Sequence, residues 1–197
     1  LNLNYETASV PNLVFNFGVI KGGELSRLTI TGAMTWVGGA IDGALTTEIA
    51  GGATLTLSGT ATKSLYTGSI VNNGAMVQTE GANITGAYGA SIRNAGVFDA
   101  QGNGQFIFYT GDYPQFVNAG KFVRSLADTE TTVSGWNFKN TGLLEISGGA
   151  IRFGKAFIQD GGATVLKNGA QIASTQTMMI HGGRIGGLGS IDASVEN

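Results

Sequence analysis

The side chains in this sequence that could perform acid–base chemistry are carboxylates in its middle part: Asp99, Asp112, Asp128, Glu130 and Glu145. Hydrolysis of a glycosidic bond uses two carboxyl groups at a defined separation, one as the acid and one as the base or nucleophile. If these carboxylates clustered on one outer face, they would indicate an enzyme that processes polysaccharides. This enzyme is one of the functional hypotheses for the chain.

A second candidate site is the aromatic segment QFIFYTGDYPQF (105–116), which brings Tyr109 and Tyr113 close to Asp112. Aromatic rings at these positions could stack on the flat face of a sugar. Trp36, in a predicted insertion, is a further candidate ligand contact. A structural interpretation stays open, in which the loop merely protrudes and the phenylalanines of the segment fill the core: Phe106, Phe108 and Phe116.

The sequence gives little support for a zinc site, a catalytic thiolate, a nucleotide site or a calcium site. The chain has one histidine, His181, and no cysteine, so an ordinary zinc site or a catalytic thiolate is not expected. The glycine-rich run at 182–189 is followed by the extended segment SIDASV, whereas a nucleotide-binding fingerprint requires a helix there. GGLGSIDAS (186–194) is closest to a calcium-binding nonapeptide, but its aspartate is displaced by one position. We predict no cofactor, no metal site and no catalytic residue.

Composition limits the partners. The 11 basic and 13 acidic residues are scattered and give a net charge of −2, so we do not expect nucleic acid as a partner. No stretch approaches the ~18 apolar residues of a membrane helix, so we do not expect membrane insertion. Glycine is abundant, at 33 of 197 residues, while charged residues make up only 12%. These values are unlike those of a disordered chain, which is poor in apolar residues and rich in charge.

An internal repeat organises the chain. Four similar segments have anchor glycines Gly74, Gly96, Gly120 and Gly142, at spacings of 22, 24 and 22 residues. Weaker copies extend the pattern in both directions, with anchor glycines at Gly23, Gly52, Gly162 and Gly183. The longer gap between Gly23 and Gly52 predicts an insertion at about residues 33–47. In the copies with a doubled glycine, the alignment could slip by one residue.

The repeat predicts an all-β fold. Apolar residues recur four positions before and two positions after the anchor glycine, and this even separation places them on one face of extended strands. Short strands broken by glycine-rich turns, at a period of about 22 residues, are typical of a parallel β-helix, or β-solenoid. We predict about eight right-handed coils in a single domain spanning residues 1–197, which would be a fragment of a longer repeat protein. Glycine would supply positive φ angles at the corners.

A polar column precedes the anchor glycines by two residues. Its members are Asn72, Asn94, Asn118, Asn140 and Asp160, followed by His181. Asparagine tolerates turn conformations and hydrogen-bonds neighbouring backbone, so the column predicts a structural ladder at a turn. In the same register, Asp99 and Glu145 share an offset from their glycines and lie two coils apart. Their separation of roughly 10 Å slightly exceeds the range of inverting glycosidases.

Two segments resemble a known protein class. TWVGGAIDGALTTEIAGGATLTLSG (35–59) is similar to a W-T/S-G-G-x-hydrophobic-x-G-x-G unit of large bacterial exoproteins, with Ala44 in place of one glycine. GGRIGGLGSIDASVEN (182–197) resembles their closing unit. The family is that of β-solenoid surface proteins, namely filamentous-haemagglutinin-like adhesins and autotransporter passenger domains. The resemblance implies secretion, display at the cell surface or assembly into fibres, and contact with cells, matrix or glycans.

The function predicted from the sequence is therefore a non-catalytic structural or adhesive β-solenoid of an extracellular bacterial surface protein. Its loops would contact a glycan or another cell-surface ligand. The alternatives are the polysaccharide-processing enzyme and a filament subunit that self-associates through the ends of the solenoid, since uncapped ends expose strand edges.

Overall fold

The computed structural model describes residues 1–4, 6–127 and 129–197. Within these residues the regular elements are 22 β-strands and there is no helix. In chain order the strands are β1 (Thr7–Phe15), β2 (Val19–Lys21), β3 (Arg27–Trp36), β4 (Gly39–Asp42), β5 (Thr46–Ile49), β6 (Thr54–Leu57), β7 (Lys63–Tyr66), β8 (Ser69–Asn72), β9 (Ala75–Gln78), β10 (Ile84–Ala87), β11 (Ser91–Asn94), β12 (Val97–Ala100), β13 (Gln105–Phe108), β14 (Gln115–Asn118), β15 (Lys121–Arg124), β16 (Glu130–Val133), β17 (Asn137–Asn140), β18 (Leu143–Ile146), β19 (Ala150–Phe153), β20 (Phe157–Ser174), β21 (Met178–Asp192) and β22 (Val195–Glu196).

The strands pair in parallel with the strands of adjacent coils and form three ladders. Ladder 1 contains the first parts of β1, β3, β20 and β21 together with β5, β8, β11, β14, β17 and β22. Ladder 2 contains the second parts of β1 and β3, the middle of β20 and β21, and β6, β9, β12, β15 and β18. Ladder 3 contains β2, β4, β7, β10, β13, β16, β19 and the last parts of β20 and β21. The described residues thus form a parallel β-solenoid of about nine coils, one more than predicted.

Three corners join the ladders in each coil. We call them the first corner (ladder 1 to ladder 2), the second corner (ladder 2 to ladder 3) and the third corner (ladder 3 to ladder 1). Most four-residue strands alternate half-buried and buried positions, as expected for side chains that point outwards and inwards in turn. The inward side chains stack along the rod: Phe116 stacks on Phe138 and Phe98 on Phe122, with ring centroids 5.1 and 4.8 Å apart.

The glycine column at the first corner exists because the coils approach closely there. A Cβ at Gly96 would collide with the carbonyl oxygen of Gly74, and Gly120 and Gly142 meet the preceding coil in the same way. These three glycines do not have positive φ angles. The prediction that positive φ explains the column is therefore wrong at these positions: they are glycines because a side chain would prevent the coils from stacking.

The N-terminal part of the predicted repeat is out of register. Gly23 lies in the third corner, and Gly32 occupies the glycine column, since its neighbour Ala33 pairs with Asn12 and Thr54. The predicted insertion at 33–47 is an ordinary coil with strands in ladders 2, 3 and 1. Trp36 is therefore not in a protruding loop. It is fully buried and stacks on Phe15, with ring centroids 6.0 Å apart.

The doubled glycines shift the register by one residue, as their sequence allowed. Ala53, rather than Gly52, stands opposite the Gly74 position, since Thr54 pairs with Ala75. Towards the C-terminus, the inward positions belong to Phe157, Met178 and Ile180, all buried. Ile158 and Met179, which the repeat placed in the core, pair with each other on the outer side and are half-buried. The cause is an extra residue in the first corner after Gln159.

Buried cations and amides cap backbone carbonyls beneath the second corner. The Lys63 ammonium donates hydrogen bonds to the carbonyl oxygens of Gly59 and Ala61, at 2.9 and 2.7 Å. Arg124 donates to Ala100 O, and Gln78 donates to Ala82 O. Burial lowers the pKa of Lys63 and of Arg124 from their ordinary values. These inward charges are tolerated because backbone carbonyl oxygens of the turns accept their hydrogen bonds.

Candidate functional site

The asparagine column forms an internal ladder at the first corner. Asn72, Asn94 and Asn118 each donate a side-chain hydrogen bond to the amide oxygen of the next asparagine, at 2.7 to 2.8 Å. Each also donates to a backbone carbonyl of the next coil. Asn140 continues the chain of bonds to Gln159. All five side chains are fully buried, so the ladder holds coils together and offers no surface to a ligand.

Asp160 does not continue this ladder, contrary to the prediction. Gln159 takes the place opposite Asn140, and the extra residue in the corner moves Asp160 to the surface. There its carboxylate pairs with Lys139 at 2.5 Å and with His181 at 2.9 Å. The hydrogen bond from Lys139, followed by the one from His181, lowers the pKa of Asp160 below its ordinary value. His181 accordingly takes part in an exposed surface cluster.

The carboxylates of the middle coils are held by local partners. Asp99 and Glu145 do share one outward column, but Val123 lies between them. Asp99 accepts hydrogen bonds from Gln101 and Ser125. Glu145 forms ion pairs with Lys167 at 2.9 Å and Lys121 at 3.5 Å.

Pairing with lysine also changes the pKa of Glu145. The hydrogen bond from Lys167 is the main cause that lowers this pKa, while burial raises it. Glu130 pairs with Arg152 at 3.2 Å. Asp128 lies outside the described residues.

No three His, Asp or Glu side chains in the described ranges 1–4, 6–127 and 129–197 come together in a way that could hold a metal ion. The same ranges contain no helix long and apolar enough to cross a membrane.

The aromatic segment predicted from the sequence forms the longest turn at the third corner among the described coils. Strand β13 ends at Phe108 and β14 begins at Gln115, so residues 109–114 form the turn. The turn runs beside the corner of the preceding coil: Tyr88 N–H donates to Thr110 O, and Gly89 N–H donates to Asp112 O, at 3.0 and 2.9 Å. These backbone bonds hold the loop in a defined position on the rod.

Tyrosines of the two preceding coils lie next to this loop. Tyr66 and Tyr109 lie on either side of Ala87, with ring centroids 6.2 Å apart, and Ala87 beneath them is fully buried. Tyr109 is 67% exposed. Tyr88, in the left-handed conformation with a φ of 53°, is 54% exposed and packs beside Gly111.

The loop is anchored on its other side by Tyr113. The ring of Tyr113 lies 4.5 Å from that of Phe108, and its hydroxyl accepts a hydrogen bond from the Lys155 ammonium at 2.9 Å. The Lys155 nitrogen also lies 4.1 Å from the centre of the Tyr113 ring, in cation–π range. We call the surface formed by Tyr66, Tyr88, Phe108, Tyr109 and Tyr113 the tyrosine ridge.

The phenylalanines of the segment divide between core and ridge. Phe106 and Phe116 are fully buried, as the structural interpretation predicted. Phe108 is only half-buried and lies at the end of β13, next to the turn. Trp136 fills the core beside Gly86 and donates its indole N–H to Ile107 O at 3.0 Å. The ring of Phe108 is therefore available to support Tyr113.

Asp112 lies in the same loop with an exposed side chain. Its carboxylate makes no hydrogen bond or ion pair with any residue that the structure describes. In this it differs from Asp99, Glu130 and Glu145. The predicted ligand contacts Tyr109, Asp112 and Tyr113 thus lie together on one accessible surface, whereas the side chain of Trp36 is enclosed in the core.

The sequence interpretation missed two members of this surface, Tyr66 and Tyr88, and the lysine that contacts it, Lys155. A signal for Tyr66 was present: Tyr66, Ala87 and Tyr109 are spaced by 21 and 22 residues, one coil each. Tyr66, Tyr88, Tyr109 and Tyr113 are four of the five tyrosines of the chain, and the fifth, Tyr5, lies outside the described residues.

Comparison of the chain with protein-family models, with curated proteins and with solved structures finds no match.

Proposed function

We propose that this chain is a non-catalytic structural and adhesive β-solenoid of an extracellular bacterial surface protein or fibre. In this function the coils form a stiff rod and the third corner makes contacts with other molecules. The proposal extends the sequence resemblance to filamentous-haemagglutinin-like adhesins and autotransporter passenger domains. The observation that carries it is the contrast within one rod between a buried ladder of amides and the loop 109–114, whose tyrosines are exposed.

Rigidity supports this function. The coils are joined by continuous parallel ladders, stacked phenylalanines and the asparagine ladder, so few places along the described part of the chain can bend. A surface rod must hold its contact loops at a fixed place, because ordering a mobile loop on binding reduces affinity. The backbone bonds between the loop and Tyr88 and Gly89 provide that order.

The alternative of a polysaccharide-processing enzyme draws less support from the carboxylates. Such an enzyme needs two carboxyl groups free to exchange protons with a substrate. Glu130 and Glu145 are each paired with basic side chains, and Asp99 is hydrogen-bonded. Incubation of the protein with soluble polysaccharides, followed by a reducing-end assay, tests this alternative directly.

A filament subunit is the second candidate function, and the exposed apolar side chains of the outer coils favour it. Phe17 is 84% exposed in the first coil, and Leu188 is 79% exposed near the last. Contact between such surfaces would join rods end to end. Negative-stain microscopy of the purified protein at increasing concentration would show filaments if this candidate is correct, and single short rods if it is not.

Adhesion is tested with beads that carry the purified protein. We expect the beads to bind to at least one of three coated surfaces, namely mucin, basement-membrane matrix and intact bacterial cells. Beads coated with the heat-unfolded protein serve as the control. Equal retention of both bead types on every surface would contradict the proposed function.

A further inference from the structure

We propose that the tyrosine ridge binds a neutral glycan chain, with sugar rings packed on Tyr109 and Tyr88 and a sugar hydroxyl donating a hydrogen bond to Asp112. This inference rests on the proposed function, because it names the ligand class of the contact surface that the proposed function requires.

The rings of the ridge are accessible yet held in place. Tyr109 and Tyr88 are exposed by more than half, and Tyr109 is supported by Tyr66. A tyrosine offers an apolar ring with a polar hydroxyl at its tip, which matches a sugar ring with an apolar C–H face and polar edges. Since the rings already pack on neighbours, binding would order few side chains and would keep most of its free energy.

Asp112 indicates which groups the ligand must carry. Its side chain is exposed in the loop between Tyr109 and Tyr113, and its carboxylate has no partner among the described residues. An ionised carboxylate only accepts hydrogen bonds, so it selects a ligand rich in donors, such as the hydroxyl groups of a sugar. A proline-rich peptide, the other common ligand of tyrosine surfaces, offers few donors because proline has no N–H.

The charge around the ridge favours a neutral glycan over an acidic one. Lys155 is the basic residue that contacts the ridge, and its ammonium is already bound to the hydroxyl and the ring of Tyr113. Asp112 has no ion-pair partner among the described residues, so the carboxylate of an acidic sugar bound beside it would be repelled by its negative charge. Charge repulsion of this kind excludes partners more strongly than it changes the affinity for the preferred one.

The test is affinity electrophoresis of the purified protein in gels that contain a soluble polysaccharide. The neutral probes are mixed-linkage β-glucan, xylan, galactomannan and dextran, and the acidic probe is polygalacturonate. A fluorescent proline-rich peptide, measured by anisotropy, represents the competing ligand class. The variants are Tyr109→Ala and Asp112→Asn, with Phe17→Ala as the matched control, since Phe17 is an exposed aromatic residue in the first coil.

We expect at least one neutral polysaccharide to retard the wild type and Phe17→Ala equally. Tyr109→Ala should weaken this binding by about tenfold, as expected for loss of a stacked aromatic ring. Asp112→Asn should weaken it severalfold while leaving circular dichroism unchanged.

The inference is overturned if no neutral polysaccharide retards the protein, or if polygalacturonate or the peptide binds in preference. It is also overturned if Phe17→Ala weakens binding as much as Tyr109→Ala. If Asp112→Asn binds as the wild type does, the proposed hydrogen bond from the sugar to Asp112 is refuted. If beads carrying Tyr109→Ala still bind the coated surfaces as the wild type does, the proposed function stands and this inference fails. If wild-type beads bind no surface while a neutral polysaccharide still retards the wild type and Tyr109→Ala abolishes this retardation, the glycan inference stands and the proposed adhesive function fails.

Discussion

The first and third corners of the rod both connect one ladder to the next, but they are built from different residues. In the middle coils the first corner is a two-residue turn between strands such as β8 and β9, with a glycine and a buried asparagine at the same positions each time. The third corner varies in length from coil to coil, and in one coil it expands to residues 109–114 with exposed tyrosines. Both corners turn the chain from one ladder into the next, but only the first keeps the same length and residues through the middle coils.

The difference separates the residues that hold the coils together from those that are exposed at the surface. At the first corner each side chain contacts the coils before and after it, so a change in one coil disturbs its neighbours. At the third corner the loop protrudes, and its exposed side chains can vary without breaking the ladders. A repeat protein can therefore gain a contact surface at one corner while another corner holds the stack together.

The largest effect that we predict is at the glycine column. Gly120→Ala should destabilise the protein by at least about 3 kcal/mol, because the added Cβ collides with the carbonyl oxygens of Gly96 and Ala95. Chemical denaturation measures the change. The control is Gly51→Ala, where a Cβ meets no atom within 4 Å, and its stability should change by less than about 0.5 kcal/mol. Similar effects of the two substitutions would refute the close-approach explanation.

A smaller loss is expected when the asparagine ladder is interrupted. Asn118→Ala removes the hydrogen bonds to Asn140 and Leu143 O and takes from the buried amide of Asn94 one of its two acceptors, leaving Lys121 O. The expected cost is about 2 kcal/mol, measured by urea denaturation. Asn73→Ala, which removes an exposed side chain that donates a hydrogen bond to Glu48, is the matched control and should cost less than about 0.5 kcal/mol. A ladder variant as stable as this control would show that the bonds are dispensable.

The ion pairs on the outer face should contribute less and should depend on pH. Glu145→Gln is expected to lower stability by about 1 kcal/mol at pH 7, through lost pairing with Lys167 and Lys121. The pKa of Glu145 is lowered in the folded state, so its contribution is present above the ordinary carboxyl pKa and is lost as the pH falls through the folded pKa. Thermal unfolding of both proteins from pH 7 to pH 3 should show their difference shrink below about pH 4.3. A difference as large at pH 3 as at pH 7 would contradict this assignment.

The smallest stability effect is expected at the tyrosine ridge. Tyr109→Ala should change the free energy of unfolding by less than about 1 kcal/mol, because the ring is two-thirds exposed. Phe116→Ala, in the strand that follows the loop, removes a fully buried ring and should cost about 3 kcal/mol or more. Both values come from urea denaturation. If Tyr109→Ala were as destabilising as Phe116→Ala, the ridge would be part of the core and the contrast between the corners would be lost.

Much of the fold could be predicted from residue spacing, because one coil copies the next. The alternation around Gly74, Gly96, Gly120 and Gly142 identified the inward residues of four coils, and these are buried. The errors arose where glycines do not mark the corner uniquely. Gly23 belongs to another corner, and Asp160 lies one residue beyond the true ladder position at Gln159. A pattern based on glycine alone does not distinguish three corners that all favour small residues.

The candidate site was only partly predictable. Tyr109, Asp112 and Tyr113 were identified because an aromatic run with a carboxylate is unusual in this chain. Lys155 lies 42 residues from Tyr113, and their contact depends on how coils stack at the third corner. The inward placement of Lys63 and Arg124 was likewise not predicted, since it depends on carbonyl groups that only the folded turns leave available.

The sequence by itself determined that this protein is a β-solenoid, since a period of about 22 residues with alternating apolar positions has few other ways to bury its side chains. The tertiary structure alone decided the register of the outer coils and which side chains share a surface. Register depends on close approach between coils, and a shift of one residue moves a side chain from the core to the solvent. For this reason Trp36 lies inside the rod, and Tyr66 and Tyr109 meet outside it.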